Sequence, residues 1–117
     1  MEFNNNKAIY LQIADLICEN ILSQKWKVNE RIPSIREIAV DLEVNPNTVV
    51  RTYNYLQDIE IIQNKRGIGY FVASEGLEKT LNYKKKEFIE IELPDIYKKM
   101  DLLGITIDQL KTWYVKK

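Results

Sequence analysis

The chain has 117 residues, 45% apolar and 29% charged, with seventeen Lys plus Arg balancing seventeen Asp plus Glu. That composition fits one small globular domain with at most an appendage; it excludes a disordered chain or one that clings to membranes by charge alone. The chain has no histidine and a single cysteine, Cys18, so Cys/His metal sites, His-based triads, Cys–His nucleophiles and intramolecular disulfides are excluded, and neither a metal, a cofactor nor an enzymatic activity is expected.

The opening MEFNNNK lacks the apolar core of a signal peptide, and no run approaches the ~18 apolar residues of a membrane span. With one unpaired cysteine, a cytoplasmic protein without membrane contact is expected. Ile9, Ile13, Leu16, Ile17 and Ile21 then recur at spacings of three and four, the apolar stripe of a helix, with Cys18 beside it as a small core residue. Lys25 to Glu30 breaks the pattern, and Asn29 suits a left-handed turn.

Ser34 and Glu37 form a capping box that opens a short second helix with Ile35, Ile38, Ala39 and Leu42 inward. After a brief turn at Glu43-Val44, Asn45-Pro46 opens a third helix, Asn45 as cap and Pro46 where its missing N–H costs nothing. Val49, Tyr53 and Leu56 are expected to face inward, with Val50 as a further candidate. Two short helices joined in this way predict a helix-turn-helix. The β-prone runs Ile61–Gln63 and Tyr70–Val72 flank Asn64–Gly69 and predict a hairpin. The order predicts a mainly α fold with a small β wing: a winged helix-turn-helix over residues 1–75.

Residues 76–117 read as a helical dimerisation tail. Ile89, Leu93, Ile96, Met100 and Leu103 alternate spacings of four and three, a heptad-like seam interrupted at Pro94, where a helix either kinks or stops and restarts. Gly104 suits a C-cap, and Thr106 caps a last helix with Ile107, Leu110, Trp113 and Tyr114. So much apolar surface on so few residues is expected to bury itself against another copy of the chain.

The candidate binding residues follow from this layout. Recognition helices enter the major groove by their first turn, where Asn45, Asn47, Thr48 and, one turn on, Arg51 offer groups suited to base edges or phosphates. The same residues are also good capping chemistry. Arg36, at the start of the second helix, suits a phosphate or a surface ion pair with Glu37 or Asp41. Lys65-Arg66-Gly67 puts a cation beside a glycine at the wing tip, suited to a narrow minor groove or simply to a charged turn. Lys84-Lys85-Lys86, followed by Glu87 and Glu90, reads as a solvated face.

Charge weighs against a general positive field. Residues 31–75 carry five basic groups (Arg31, Arg36, Arg51, Lys65, Arg66) and six acids. The basic groups must therefore share one face, with Glu43, Asp58 and Glu60 turned away. Four cations per protomer, doubled in a dimer, would neutralise at most ~8 phosphates, a log–log salt slope no steeper than roughly −7.

Tyr10-Leu11-Gln12-Ile13, Ile32-Pro33-Ser34-Ile35-Arg36-Glu37-Ile38-Ala39, Asn45-Pro46-Asn47-Thr48-Val49 with Arg51 and Tyr53, and Gly67-Ile68-Gly69-Tyr70-Phe71-Val72 resemble, in order, the GntR family of bacterial repressors over residues 8–73. Asn29 stands where that family usually has glycine, and Ile32 where it has leucine. The tail, with Phe88 to Leu93, Pro94 and Leu103-Gly104-Ile105, is similar to the YtrA-type subgroup. Its members carry a short helical dimerisation region in place of a large effector domain and often govern ABC-transporter genes, including their own operon. The resemblance implies DNA roles for Arg36, Asn47, Thr48, Arg66 and Gly67. Together the readings predict a homodimeric transcriptional repressor bound to a palindromic operator in double-stranded DNA, its effector unknown. The competing reading is a winged-helix docking module that touches no DNA.

Overall fold

A computed structural model describes residues 2–117. The first helix, α1, spans Ile9–Leu22 and buries Ile13, Ile17 and Ile21 with Ala14 and Cys18. Ile9 departs from the predicted stripe: it lies in the first turn, past the edge of the core, and is 45% exposed. Gln12 is buried, which would be costly for an unpaired amide. Its Oε1 accepts from the Asn4 N–H at 3.1 Å, and its Nε2 donates to the Asn4 and Lys7 carbonyls at 2.8 and 2.7 Å. One side chain thus straps the residues before α1 onto the helix.

Asn29 takes the left-handed conformation, φ 65°. Helix α2, Ile35–Leu42, starts at Ser34 with both halves of the capping box formed, at 3.1 Å each. Glu43 ends it at φ 54°, and the Val44 N–H returns to the Ala39 carbonyl at 3.0 Å, the bond of a left-handed stop. Helix α3, Pro46–Asp58, begins at Asn45, whose side chain accepts from the Asn47 N–H at 2.8 Å. It buries Val49, Thr52, Tyr53 and Leu56. The Thr52 hydroxyl, fully buried, donates to the Tyr10 carbonyl at 2.8 Å and pins α3 to α1.

The wing is an antiparallel pair, β1 (Ile62–Lys65) and β2 (Gly69–Val72), in register Ile62–Val72 to Lys65–Gly69. The strands run further inward than the apolar runs suggested, so the turn is only Arg66-Gly67-Ile68. The hairpin also has a neighbour that the sequence reading took for plain connection. Residues 29–32 lie along β2: Asn29 and Ile32 donate to the Val72 and Tyr70 carbonyls at 2.9 Å, Val72 donates back to Glu30 at 3.0 Å, and Arg31 bridges Phe71.

Helix α4, Gly76–Glu87, opens at a glycine with no room for a side chain: a Cβ there would stand 2.6 Å from the Ile61 carbonyl oxygen and 2.7 Å from Val72 Cγ1. Two compact units divide inside this helix, one reaching to Asn82 and the other running from Tyr83 to Lys117. The division falls later than residue 75, where the change in sequence texture suggested a boundary.

In the second unit the backbone stays helical through Pro94. A π-helical segment, Phe88–Glu92, leads directly into α5, Leu93–Leu103, with the Leu93 N–H bonding back five residues to the Phe88 carbonyl. Proline cannot donate, and its ring crowds the carbonyl four residues back. A wider π turn immediately before it relieves both constraints without ending the helix. Gly104 closes α5 in the left-handed conformation, φ 68°, and Thr106 opens α6, Ile107–Lys116, with a capping box completed by Gln109. Among the described residues no helix is long and apolar enough to cross a membrane.

Candidate nucleic-acid interface

The outward face of α3 is polar because its inward face is set by Val49, Tyr53 and Leu56. Asn47, Arg51 and Asn54 recur at spacings of four and three on the opposite side, and all three are exposed. Asn45 stands at the cap with its side-chain oxygen engaged by the Asn47 N–H. Thr48 is half-buried toward α1. Asn47, Thr48 and Arg51 meet Ala8, Ile9 and Tyr10 along one open groove of about 340 Å³. There the Arg51 guanidinium carbon lies 3.9 Å from the centre of the Tyr10 ring, and Tyr10 stands edge-on to Tyr55 at 6.1 Å.

Arg36 is exposed in the first turn of α2 and makes no ion pair among the described residues, so neither Glu37 nor Asp41 holds it. The Glu37 carboxylate is engaged elsewhere. Hydrogen bonds from the Ser34 backbone and side chain hold its pKa below the usual carboxylate value, with a smaller contribution from Arg31.

At the wing, Lys65 sits in β1 with its ammonium 4.4 Å from the Phe71 ring centre, and Arg66 and Gly67 form the exposed tip, Gly67 at φ 77°. Gly69 is structural: it adopts φ 146°, and a Cβ there would meet Arg31 Nε at 2.9 Å. The Arg31 side chain therefore lies across the wing backbone, adding a cation to this edge. Sequence reasoning counted Arg31 only as a charge, because nothing in its neighbourhood signals pairing with β2. Asn54 was also missed, although its spacing from Asn47 and Arg51 was legible.

The acids divide unevenly. Glu60 is paired with Lys79 at 2.9 Å, and that hydrogen bond lowers the Glu60 pKa and raises that of Lys79. Asp58 is not turned away as expected. It continues the Asn47–Arg51–Asn54 stripe, but at the far end of α3, about 16 Å beyond Asn47 at 1.5 Å per residue.

The predicted seam lies in the second unit. Ile89, Ile96 and Leu103 are exposed, Leu93 is half-buried, and Met100 is already buried at 8% exposure. Phe88, Ile91, Leu102, Ile107, Trp113 and Tyr114 are also exposed there. Of the lysine run, Lys84 is tied to Glu87 at 2.9 Å, whereas Lys85 and Lys86 are exposed.

Comparison with known proteins agrees with this architecture. Residues 9–72 match the model of the bacterial regulatory proteins of the gntR family. The chain is 33% identical to the HTH-type transcriptional regulator YhcF of Bacillus subtilis over 93% of its own length and 88% of that protein. It is 32% identical to the HTH-type transcriptional repressor YtrA of the same organism, over 90% and 80% of the two chains. A GntR family transcriptional regulator from Listeria monocytogenes superposes with a TM-score of 0.81 at 32% identity, covering 98% of this chain and 99% of the other. The chain thus belongs to the GntR family, with YtrA among its relatives, and is a DNA-binding transcriptional regulator rather than an enzyme.

Proposed function

We propose that the protein is a homodimeric repressor that reads an inverted repeat in double-stranded DNA, in the cytoplasm, and that its own operon, with ABC-transporter genes, is the target. The observation that carries the DNA reading is the exposed polar stripe of α3, capped at Asn45 and locked to α1 through Thr52, beside a wing with Arg66 at its tip. In this reading Asn47, Thr48 and Arg51 approach the major groove; Asn45 acts mainly by fixing that first turn, since its oxygen is engaged. Arg36, at the start of α2, takes a backbone phosphate. Lys65, Arg66 and Gly67 bring the wing to the adjacent minor groove.

The dimer reading is supported by the apolar side chains that the second unit leaves exposed, Ile89, Ile96 and Leu103 together with Phe88 and Trp113. Met100 and Leu93 contribute less new burial than the heptad spacing suggested. A two-fold dimer matches two half-sites one helical turn apart, about 34–36 Å, or multiples of that. The repressor sign follows the likeness to the transcriptional repressor YtrA, and the operon target follows the resemblance of the tail to the YtrA-type subgroup.

Sedimentation combined with nuclease footprinting on the DNA upstream of the protein's own gene tests this reading. A dimer protecting two symmetric half-sites is the expected result. A monomer, or protection of one asymmetric site, would overturn it.

A further inference from the structure

The groove between the starts of α1 and α3 carries an inference that rests on the DNA-binding reading and refines it. Arg51 belongs to the outward stripe of α3, yet its guanidinium is drawn sideways over the Tyr10 ring, at 3.9 Å. That ring does not move freely. Its edge is set against Tyr55 at 6.1 Å with an interplanar angle of 82°, and the Tyr10 carbonyl accepts the buried Thr52 hydroxyl at 2.8 Å. A guanidinium whose carbon lies over an aromatic ring spends no N–H donor on a carboxylate there and keeps its fork available for two oxygens of one phosphate. Asn47 and Thr48 line the same groove, and among the described residues no carboxylate does. An anion entering it meets the guanidinium, a hydroxyl and an amide.

We propose that Arg51 and Tyr10 form a clamp for a DNA backbone phosphate: Arg51 makes the contact, and Tyr10 is the positioning residue that holds the guanidinium on the α1 side of α3. Arg51 therefore supplies affinity without base discrimination, and base reading is left to the other side chains of the stripe. The stack also limits the freedom the long side chain would lose on binding.

The test uses fluorescence anisotropy of the full chain on two duplexes, the DNA upstream of its own gene and a shuffled version of it, across a salt series. Arg51→Ala is expected to weaken both by the same factor, about tenfold, and to flatten the salt slope by about 1 per bound protomer. Tyr10→Leu is expected to weaken both about two- to fivefold, the range of an exposed cation–π contact, while Tyr10→Phe binds like the parent. In the Arg51→Ala background Tyr10→Leu should have no further effect. Arg51 is exposed, so its replacement tests the clamp even where Tyr10→Leu perturbs folding.

Loss of discrimination between the duplexes with an unchanged salt slope in Arg51→Ala would overturn the clamp and make Arg51 a base reader. A loss on Tyr10→Leu that persists without Arg51, or an equal loss on Tyr10→Phe, would overturn the positioning role. If the parent chain binds neither duplex even at low salt, the DNA reading itself fails and the clamp with it.

Discussion

The Tyr53 hydroxyl, inside the core, donates to the Pro33 carbonyl oxygen at 2.5 Å, tying α3 to the chain just before the Ser34 cap of α2. The Tyr53 ring also packs edge-on against Tyr70 of the wing, at 4.8 Å. One side chain therefore touches all three parts of the binding unit: recognition helix, the turn into α2, and wing. The angle between α2 and α3, on which presentation of the polar stripe depends, is held partly by this residue.

Tyr53→Phe should keep the ring and lose the hydrogen bond, leaving the Pro33 carbonyl without this donor. The expected cost is about 1 kcal/mol at neutral pH, read from urea unfolding. The same variant should change the alkaline limb. Burial, then the neighbouring Tyr70 and Glu37, raises the Tyr53 pKa above its ordinary 10.0. A hydroxyl whose folded pKa is raised favours the fold while protonated, so its contribution is complete below pH 10.0 and falls as pH rises past that value. The parent should lose stability faster than Tyr53→Phe above about pH 10. Parallel alkaline limbs would contradict this assignment.

Gly76→Ala introduces a methyl where the Ile61 carbonyl oxygen and Val72 already stand within 2.7 Å. The junction between wing and α4 would have to shift. Overpacking of this kind costs about 1–3 kcal/mol, visible as a lowered urea midpoint. Helix propensity alone predicts the opposite sign, a gain of up to about 1 kcal/mol, so the direction of the change decides between the two effects.

Arg66→Ala at the wing tip should weaken operator binding by about 1–3 kcal/mol while leaving thermal stability unchanged, because Arg66 is exposed. An unchanged dissociation constant would return Arg66 to the role of an ordinary turn residue.

Ile96→Asp places a charge among the exposed apolar side chains of α5. Sedimentation should find monomers, and binding to a two-half-site duplex should drop sharply. A dimeric, binding-competent Ile96→Asp protein would remove α5 from the proposed interface.

Local chemistry made much of the fold legible. Ser34 with Glu37, and Asn45 with Pro46, mark helix starts because capping is written in a few adjacent residues; Asn29, Gly67 and Gly104 mark turns through their tolerance of positive φ. Pairings distant in sequence were not legible. Nothing near Arg31 shows that residues 29–32 run beside β2, or that the guanidinium lies over Gly69. Burial within the single chain was also hidden: heptad spacing put Met100 in a shared seam, although it is already buried at 8% exposure. At the binding face, the first turn of α3 could be read from spacing. The stacking of Arg51 on Tyr10 joins residues from two helices, and no sequence period connects them.

The most direct test is anisotropy of the labelled DNA upstream of the protein's own gene against a scrambled duplex, at two salt concentrations. The expected result is tight binding to the upstream DNA alone, weakening with salt along a slope no steeper than roughly −9 once Arg31 is counted with the other four cations of each protomer. Equal, weak binding to both duplexes would contradict regulation of its own gene, and no binding even at low salt would contradict DNA recognition by this face.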